Sequence, residues 1–123
     1  MDKLDNMFAM REHFMNSLRE SIPGACPNWP VDISSKENQQ ACRDVALRGV
    51  EEMFEALQHL KNWKPHRQTS VEEFDRDAFL EEVVDAFNYF FSLVIFMGFS
   101  ADDLFHAYDK KDAVIHSRLK DGY

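Results

Sequence analysis

The chain has 123 residues, a formal net charge of −8 and 45% hydrophobic residues, eleven of them phenylalanine. This length and apolar content predict one globular domain over residues 1–123. The acidic balance excludes general binding to a nucleic-acid polymer, because phosphate backbones attract proteins with an excess of Lys and Arg. Four glycines and four prolines are too few for a turn-rich β protein.

The N-terminus and the cysteines indicate an intracellular protein. The opening sequence MDKLDNMFAM lacks the apolar core of a signal peptide, and the apolar run 86–97 is shorter than the roughly 20 residues that span a bilayer. Cys26 and Cys42 could form one disulfide, but we favour two free thiols in a reducing compartment. We therefore expect a cytoplasmic protein with no membrane partner.

Helical periodicity and capping signals predict two helices in the first half of the chain. The first helix covers residues 2–20, and the prolines of 21–30 predict a loop after it. The second helix begins at a capping box of Ser34 and Glu37 and runs to about Leu60.

Two further helices follow. Ser70 with Glu73 forms a capping box that predicts the start of the third helix, which we expect to end at Gly98. Ser100 with Asp103 caps a fourth helix that runs toward the C-terminus. No strand alternation of useful length occurs, so the predicted fold class is an all-α bundle of four main helices.

The apolar residues of the second and third helices differ in distribution. Those of the second helix form one stripe, which we expect to lie in the core: Ala46, Leu47, Val50, Met53, Phe54, Leu57 and Leu60. The third helix is apolar over most of its circumference, which predicts a central position or a subunit interface. Its one polar strip contains Glu81, Glu82, Asp85, Asn88, Tyr89 and Ser92.

Two pairs of acidic residues are the main indication of function in the sequence. Glu52 and Glu55 on the second helix, and Glu82 and Asp85 on the third, have i, i+3 spacing, which places the carboxylates of each pair on one face. Acids at the edge of a core repel each other and resist desolvation unless a cation or a proton compensates. The pattern predicts a site for a hard divalent cation such as Mg²⁺, which prefers oxygen ligands. The alternative is an ordinary solvated acidic face.

The C-terminal segment AYDKKDAVIHSRLKDGY resembles the closing motif of the all-α nucleoside triphosphate pyrophosphatases. That superfamily includes dimeric dUTPases, bacteriophage dCTP/dUTP pyrophosphatases and MazG-like proteins. The residues that match are Tyr108, Lys111, Arg118, Gly122 and Tyr123. The acidic pairs occur in the order of the family's metal motifs, and the segments MFAMREHFMNSL and LKNWKPHR resemble its first motif and its Trp/Lys-rich connection.

This resemblance implies an enzyme that cleaves the bond between the α and β phosphates of dUTP, dCTP or both, releasing pyrophosphate. It implies that Glu52, Glu55, Glu82 and Asp85 bind Mg²⁺, with Mn²⁺ as a substitute, and that Glu52 or Glu55 also activates the attacking water. Together with the apolar third helix, it implies a homodimer, in the cytoplasm of a bacterium or a phage-infected host.

The resemblance also implies which residues contact the nucleotide. Phosphate binding is assigned to Lys64, Lys111, Arg118 and Tyr123. Base and sugar binding is assigned to Phe8, Arg11, Trp63, Asn88 and Asp112. Two alternatives stay open, since aromatic residues at helical spacing, such as Phe8, can be core residues, and the segment around Trp63 can be either a flap over the phosphates or a surface loop.

Several positions depart from the family pattern and concern the substrate. Asp112 and Ile115 replace the two asparagines of the closing motif, Asn88 stands where His is frequent, and Arg11 stands where Gln is common. An isoleucine cannot hydrogen-bond to a base or a sugar. A purine or modified nucleotide is therefore an alternative substrate, and a helical protein that binds metal or nucleotide without turnover is an alternative of another class.

Overall fold

The computed structural model describes residues 2–68 and 73–122. Within these ranges the chain forms four α-helices and no strand, which confirms the predicted all-α class. The helices are α1 (Lys3–Ser21), α2 (Lys36–Leu57), α3 (Arg76–Phe96) and α4 (Ala101–Lys120). The chain divides into two compact units. We call them the α1–α4 unit (Met1–Val31 and Val94–Tyr123) and the α2–α3 unit (Asp32–Leu93).

Reciprocal caps start α1 and α4. The Asp2 carboxylate accepts a hydrogen bond from the Asp5 amide at 2.8 Å, and the Asp5 carboxylate accepts one from the Asp2 amide at 3.3 Å. At α4 the Ser100 hydroxyl accepts from the Asp103 amide at 3.1 Å, and the Asp103 carboxylate accepts from the Ser100 amide at 2.9 Å. The predicted start of the fourth helix at Ser100 is therefore confirmed.

The predicted start of α2 is wrong by one residue. Ser35 is the N-cap, and its hydroxyl accepts a hydrogen bond from the Asn38 amide at 3.4 Å. Ser34 instead donates its hydroxyl and its amide to the Asp32 carboxylate, at 2.7 and 3.0 Å. Ser34, which the sequence pattern selected as the N-cap, therefore belongs to a turn around Asp32 and does not cap the helix. The helix also ends earlier than predicted, at Leu57.

The predicted start of α3 is also wrong. Ser70 lies outside the described residues, but residues 73–75 are not helical and the helix begins at Arg76, where the Asp75 carboxylate accepts a hydrogen bond from the Ala78 amide at 3.0 Å. The helix ends at Phe96. Gly98 follows with a φ of +86°, a left-handed conformation that glycine adopts without strain.

Large side chains form the core of the α1–α4 unit. Its buried residues are Phe8, Met15, Cys26, Ile95, Phe96 and Ala101. Beside this core the Arg19 guanidinium lies 4.6 Å from the centre of the Trp29 ring and donates to the Asn28 side-chain oxygen at 2.8 Å. The loop after α1 is therefore held by defined contacts.

Helices α2 and α3 approach each other closely at Gly49, and the fully buried residues of their unit are small. The buried residues of the α2–α3 unit are Cys42, Gly49, Ala56, Ala86 and Ser92. A Cβ added to Gly49 would lie 2.6 Å from the Phe90 ring, so the helices meet closely there. His59 contacts Phe79, with ring centres 6.3 Å apart. Because Gly49 contacts Phe90 while the later His59 contacts the earlier Phe79, the two helices are antiparallel.

The expected core stripe of the second helix is wrong for most of its members. Leu47, Val50, Phe54, Leu57 and Leu60 are exposed, by 43 to 60% of their surface. The physical reason is that α2 turns its Gly49 side toward Phe90 of α3, which leaves these large side chains away from that contact. Ser92, predicted as part of a polar strip, is buried instead.

Two other expectations concern the thiols and membranes. Cys26 and Cys42 are both free, as predicted. Within residues 2–68 and 73–122, no single helix is long and apolar enough to cross a membrane, although α3 and α4 pass that test of length and composition as a bent pair.

Candidate metal centre

Helices α2 and α3 bring three carboxylates together. Glu52 comes from α2 and Glu82 and Asp85 come from α3, and one oxygen of each lies within 4.8 Å of the other two. The i, i+3 spacing places Glu82 and Asp85 on one face of α3. The antiparallel packing then sets Glu52 opposite both of them.

The three carboxylates repel one another. Partial burial is the largest cause that raises the pKa of the Glu52 carboxyl, and the negative charges of Glu55, Asp85, Glu82 and Glu51 raise it further. Among the described residues, each of these influences acts in the same direction. A nearby cation would favour the ionised form and oppose this shift.

Glu55 is the predicted ligand that lies outside this group of three. Its side chain is exposed, one turn after Glu52 on α2, and its charge still raises the pKa of Glu52. Among the described residues the structure therefore brings together three of the four predicted carboxylates and leaves Glu55 beside them.

The donor set suits a hard divalent cation. All three ligands are carboxylates, the type that Mg²⁺ and Mn²⁺ prefer. Glu52 and Glu82 are half-buried whereas Asp85 is exposed, so water and substrate can reach the group. Mg²⁺ needs only a few carboxylates, because it keeps several waters and takes further oxygens from a bound phosphate. The residues present therefore fit Mg²⁺ or Mn²⁺.

The predicted phosphate-binding residues lie in different parts of the chain. Lys111 and Arg118 are exposed on α4, in the α1–α4 unit. Lys64 belongs to the α2–α3 unit and is half-buried, with its Nζ atom 5.4 Å from the centre of the Trp63 ring. Tyr123 lies outside the described residues.

The predicted base-binding residues differ in their surroundings. Phe8 is buried in the core of the α1–α4 unit, which matches the packing alternative left open by the sequence. Arg11 is half-buried on α1, and its guanidinium lies 4.8 Å from the centre of the Phe14 ring. Asp112 is exposed on α4, with an oxygen 3.5 Å from the His116 side chain. In the α2–α3 unit, Asn88 is half-buried and Trp63 is exposed.

A groove of about 620 Å³ lies at the C-terminal end of α2 and includes residues that were not predicted as site residues. Its lining consists of Phe54, Leu57, Gln58, Leu60, Lys61 and Trp63. Of these only Trp63 was a predicted site residue. Apolar periodicity shows which side chains share a helix face, but it does not show that the face borders a groove.

Comparison with known proteins adds no family to these observations. No family model, no curated protein and no solved structure matches the chain. The three carboxylates and the sequence motifs are therefore the features that indicate a function.

Proposed function

We propose that the protein is a Mg²⁺-dependent nucleoside triphosphate pyrophosphatase that hydrolyses dUTP, dCTP or both to the monophosphate and pyrophosphate. The observation that carries the proposal is the close grouping of Glu52, Glu82 and Asp85 from two helices. The resemblance of the C-terminal segment supplies the substrate class. The proposal includes Mn²⁺ as a substitute ion, a homodimer, and a place in the cytoplasm of a bacterium or a phage-infected host.

The four carboxylates have two different roles in this proposal. Glu52, Glu82 and Asp85 would hold the ion, which when bound polarises a phosphoryl oxygen and acidifies a water. Glu55 is exposed beside them, so its carboxylate is available to accept a proton from the attacking water. The oxygen of that water bonds to phosphorus, the bond between the α and β phosphates breaks, and pyrophosphate leaves.

Cationic side chains would neutralise the triphosphate. Lys64, Lys111 and Arg118 are the candidates, because a lysine supplies a compact charge and an arginine a planar fork of donors. For the nucleoside, Trp63 offers a ring face on which a base can stack, and its 70% exposure supports that role. Arg11, Asn88 and Asp112 are the remaining polar candidates for the base and the sugar.

One assay tests the reaction and its substrate. The protein is incubated with each dNTP and Mg²⁺, and released pyrophosphate is measured. We expect release from dUTP or dCTP. Release from a purine nucleotide alone would contradict the pyrimidine assignment, and no release from any nucleotide would contradict the enzymatic function.

A matched pair of variants tests the metal centre. Glu82→Gln removes the charge of one proposed ligand, whereas Glu81→Gln makes the same change at the exposed neighbouring residue outside the group. We expect Glu82→Gln to lower the rate of pyrophosphate release by more than about 100-fold and Glu81→Gln to leave it nearly unchanged. Equal rates in the two variants would remove Glu82 from the mechanism. Circular dichroism checks that both variants keep their helical content.

A further inference from the structure

Two aromatic contacts lie on either side of the three grouped carboxylates. Phe90 of α3 contacts α2 at Gly49, one turn before Glu52. Phe79 of α3 contacts His59, which follows Glu52 on the chain. We infer that Phe90, in contact with Gly49, is a positioning residue that holds Glu52 at the distance from α3 that metal binding requires. The inference rests on the proposed metal centre and adds to it a residue that contacts no ion.

The two contacts enclose the carboxylates along both helices. On α2, Glu52 lies between the residues that the two phenylalanines contact, Gly49 and His59. On α3 the phenylalanines stand before and after the acidic pair, in the order Phe79, Glu82, Asp85 and Phe90. The helices are antiparallel, so one contact lies at each end of the group. A sliding or rotation of α2 along α3 would therefore disturb at least one contact as well as the carboxylates.

The contact at Gly49 is the closer of the two. A Cβ added to Gly49 would lie 2.6 Å from Cε1, 2.9 Å from Cδ1 and 3.0 Å from Cζ of the Phe90 ring. Carbon atoms in contact lie about 3.5–4.0 Å apart, so the position has no room for a methyl group unless the ring or the helix moves by up to about 1 Å. The His59 and Phe79 rings have an ordinary edge-to-face arrangement, with an interplanar angle of 77°. The ring edge of Phe90 thus sets how closely α2 approaches α3 at Gly49.

Glu52 is one turn away from this contact. Residues three apart on a helix are neighbours on its surface, with Cβ atoms about 5–6 Å apart. A displacement of α2 at Gly49 therefore moves the Glu52 carboxylate by a similar distance relative to Glu82 and Asp85, which each have an oxygen within 4.8 Å of it. Metal–ligand distances tolerate changes of only about 0.2 Å. Side chains that hold a ligand in place typically contribute about 10–100-fold to metal affinity without contacting the ion.

Packing alone would give Phe90 a different set of effects. Phe90 is half-buried, whereas Phe96 on the same helix is only 3% exposed and lies in the core of the α1–α4 unit. A residue that only packs contributes to the free energy of unfolding, but its loss leaves the folded chain with the same affinity for an ion. A positioning residue changes that affinity in the folded chain. Mn²⁺ binding therefore separates the two roles.

Electron paramagnetic resonance measures the binding, because the signal of free aqueous Mn²⁺ decreases as the ion binds to the protein. Three variants are compared with the wild type: Gly49→Ala, Phe90→Leu and the double variant. Gly49→Ala adds the methyl group that the ring obstructs, and Phe90→Leu removes the ring atoms Cε1 and Cζ and leaves a gap. We expect each single change to raise the Mn²⁺ dissociation constant about 10-fold. In the double variant the methyl group occupies space vacated by the ring, so we expect a constant within about threefold of the wild type.

Phe96→Leu is the matched control. It makes the same substitution on α3 at a more deeply buried ring outside the contact, so it should lower the unfolding free energy by at least as much as Phe90→Leu. We expect its Mn²⁺ dissociation constant to stay within about twofold of the wild type. Circular dichroism establishes that each protein is folded during the measurement. If Gly49→Ala does not fold, the comparison of Phe90→Leu with Phe96→Leu decides the question.

The outcomes separate this inference from the proposed function. Weaker Mn²⁺ binding in both single variants, with recovery in the double variant, supports the positioning role. Single variants that bind Mn²⁺ as tightly as the wild type overturn the positioning role and leave the metal centre intact, and so does an effect of Phe90→Leu no larger than that of Phe96→Leu. A wild-type protein that binds no Mn²⁺ overturns the metal centre and this inference together.

Discussion

The two units bury opposite kinds of residue. The α1–α4 unit encloses large side chains such as Phe8, Met15 and Phe96, whereas the fully buried residues of the α2–α3 unit are small and several of its large apolar residues are exposed. The α2–α3 unit also holds the group of three carboxylates. One unit thus completes a core of its own. The other has two unfavourable features, gathered negative charge and exposed apolar surface.

The closeness of α2 and α3 gives the largest effect on stability that we predict for a single residue. Gly49→Ala places a Cβ 2.6 Å from the Phe90 ring, so the variant should lose about 2 kcal/mol of unfolding free energy through overpacking. At an open helical site the same change raises the free energy of unfolding by about 1 kcal/mol, so the sign of the measured change shows whether the contact is close. Denaturant unfolding measures it, and a more stable variant would contradict the close contact.

The start of α4 gives a smaller effect in the other unit. Ser100→Ala removes the hydroxyl that accepts the Asp103 amide, and we expect a loss of about 1 kcal/mol of unfolding free energy. Ser35→Ala removes the corresponding bond of α2, which is longer, and the Asn38 side chain donates to the Asp32 carbonyl oxygen at 3.0 Å. Thermal unfolding of both variants should show the larger drop in Tm for Ser100→Ala, and the reverse order would count against the reciprocal cap.

The same cap should respond to acid. Hydrogen bonds from Ser100, its backbone amide first, lower the pKa of the Asp103 carboxyl below its ordinary range. A lowered pKa contributes stability that is present above the ordinary value and is lost as the pH falls through the folded-state value. Tm measured across the acid range should therefore fall less steeply for Asp103→Asn than for the wild type.

Glu52 gives the smallest predicted effect on stability, and the dependence of that effect on pH is opposite to that of Asp103. Its raised pKa means that the folded chain binds the proton more tightly than the unfolded chain does. Without metal, its contribution to stability therefore decreases as the pH rises from the ordinary glutamate value, about 4.3, through the raised value. Glu52→Gln should raise the metal-free Tm at neutral pH, while Mg²⁺ should raise the Tm of the wild type more than that of the variant.

An exposed glutamate serves as the control for that measurement. Glu20→Gln changes the same charge in the α1–α4 unit, at a residue outside the group of three carboxylates. Its response to Mg²⁺ should equal that of the wild type. If Glu52→Gln responds to Mg²⁺ as strongly as Glu20→Gln does, the proposed ligand set is wrong.

Local signals in the sequence were enough to predict the helices and the acidic pairs. They do not show which face of a helix packs against other residues. The reciprocal cap at Ser100 depends on residues three apart, so the sequence predicts it. At Ser34 the same pattern predicts the wrong N-cap, because the Ser34 hydroxyl donates to the Asp32 carboxylate. Periodicity placed Leu47 and Phe54 on one face of α2, but only the packing against α3 decides that the face is exposed.

The candidate site, like the fold, could be predicted only in part from local sequence signals. Spacing alone predicts that Glu82 and Asp85 share a face and that Glu52 and Glu55 are close on α2. Which carboxylate of the α2 pair meets α3 depends on the rotation of one helix against the other, and this follows from Gly49 and Ala56. Small residues seven apart, such as Cys42, Gly49 and Ala56, are the sequence signal that could have indicated this contact face.

The small residues of α2 would also determine which ion the proposed metal site accepts. Glu52 lies between Gly49 and Ala56, so the distance from its carboxylate to α3 depends on two residues with almost no side chain. Oxygen ligands lie at about 2.0–2.1 Å from Mg²⁺ and at about 2.3–2.6 Å from Ca²⁺, a difference of only a few tenths of an ångström. A larger residue at position 56 would separate the helices by at least that much. Ion selectivity in this protein would then be controlled by a residue that never contacts the ion.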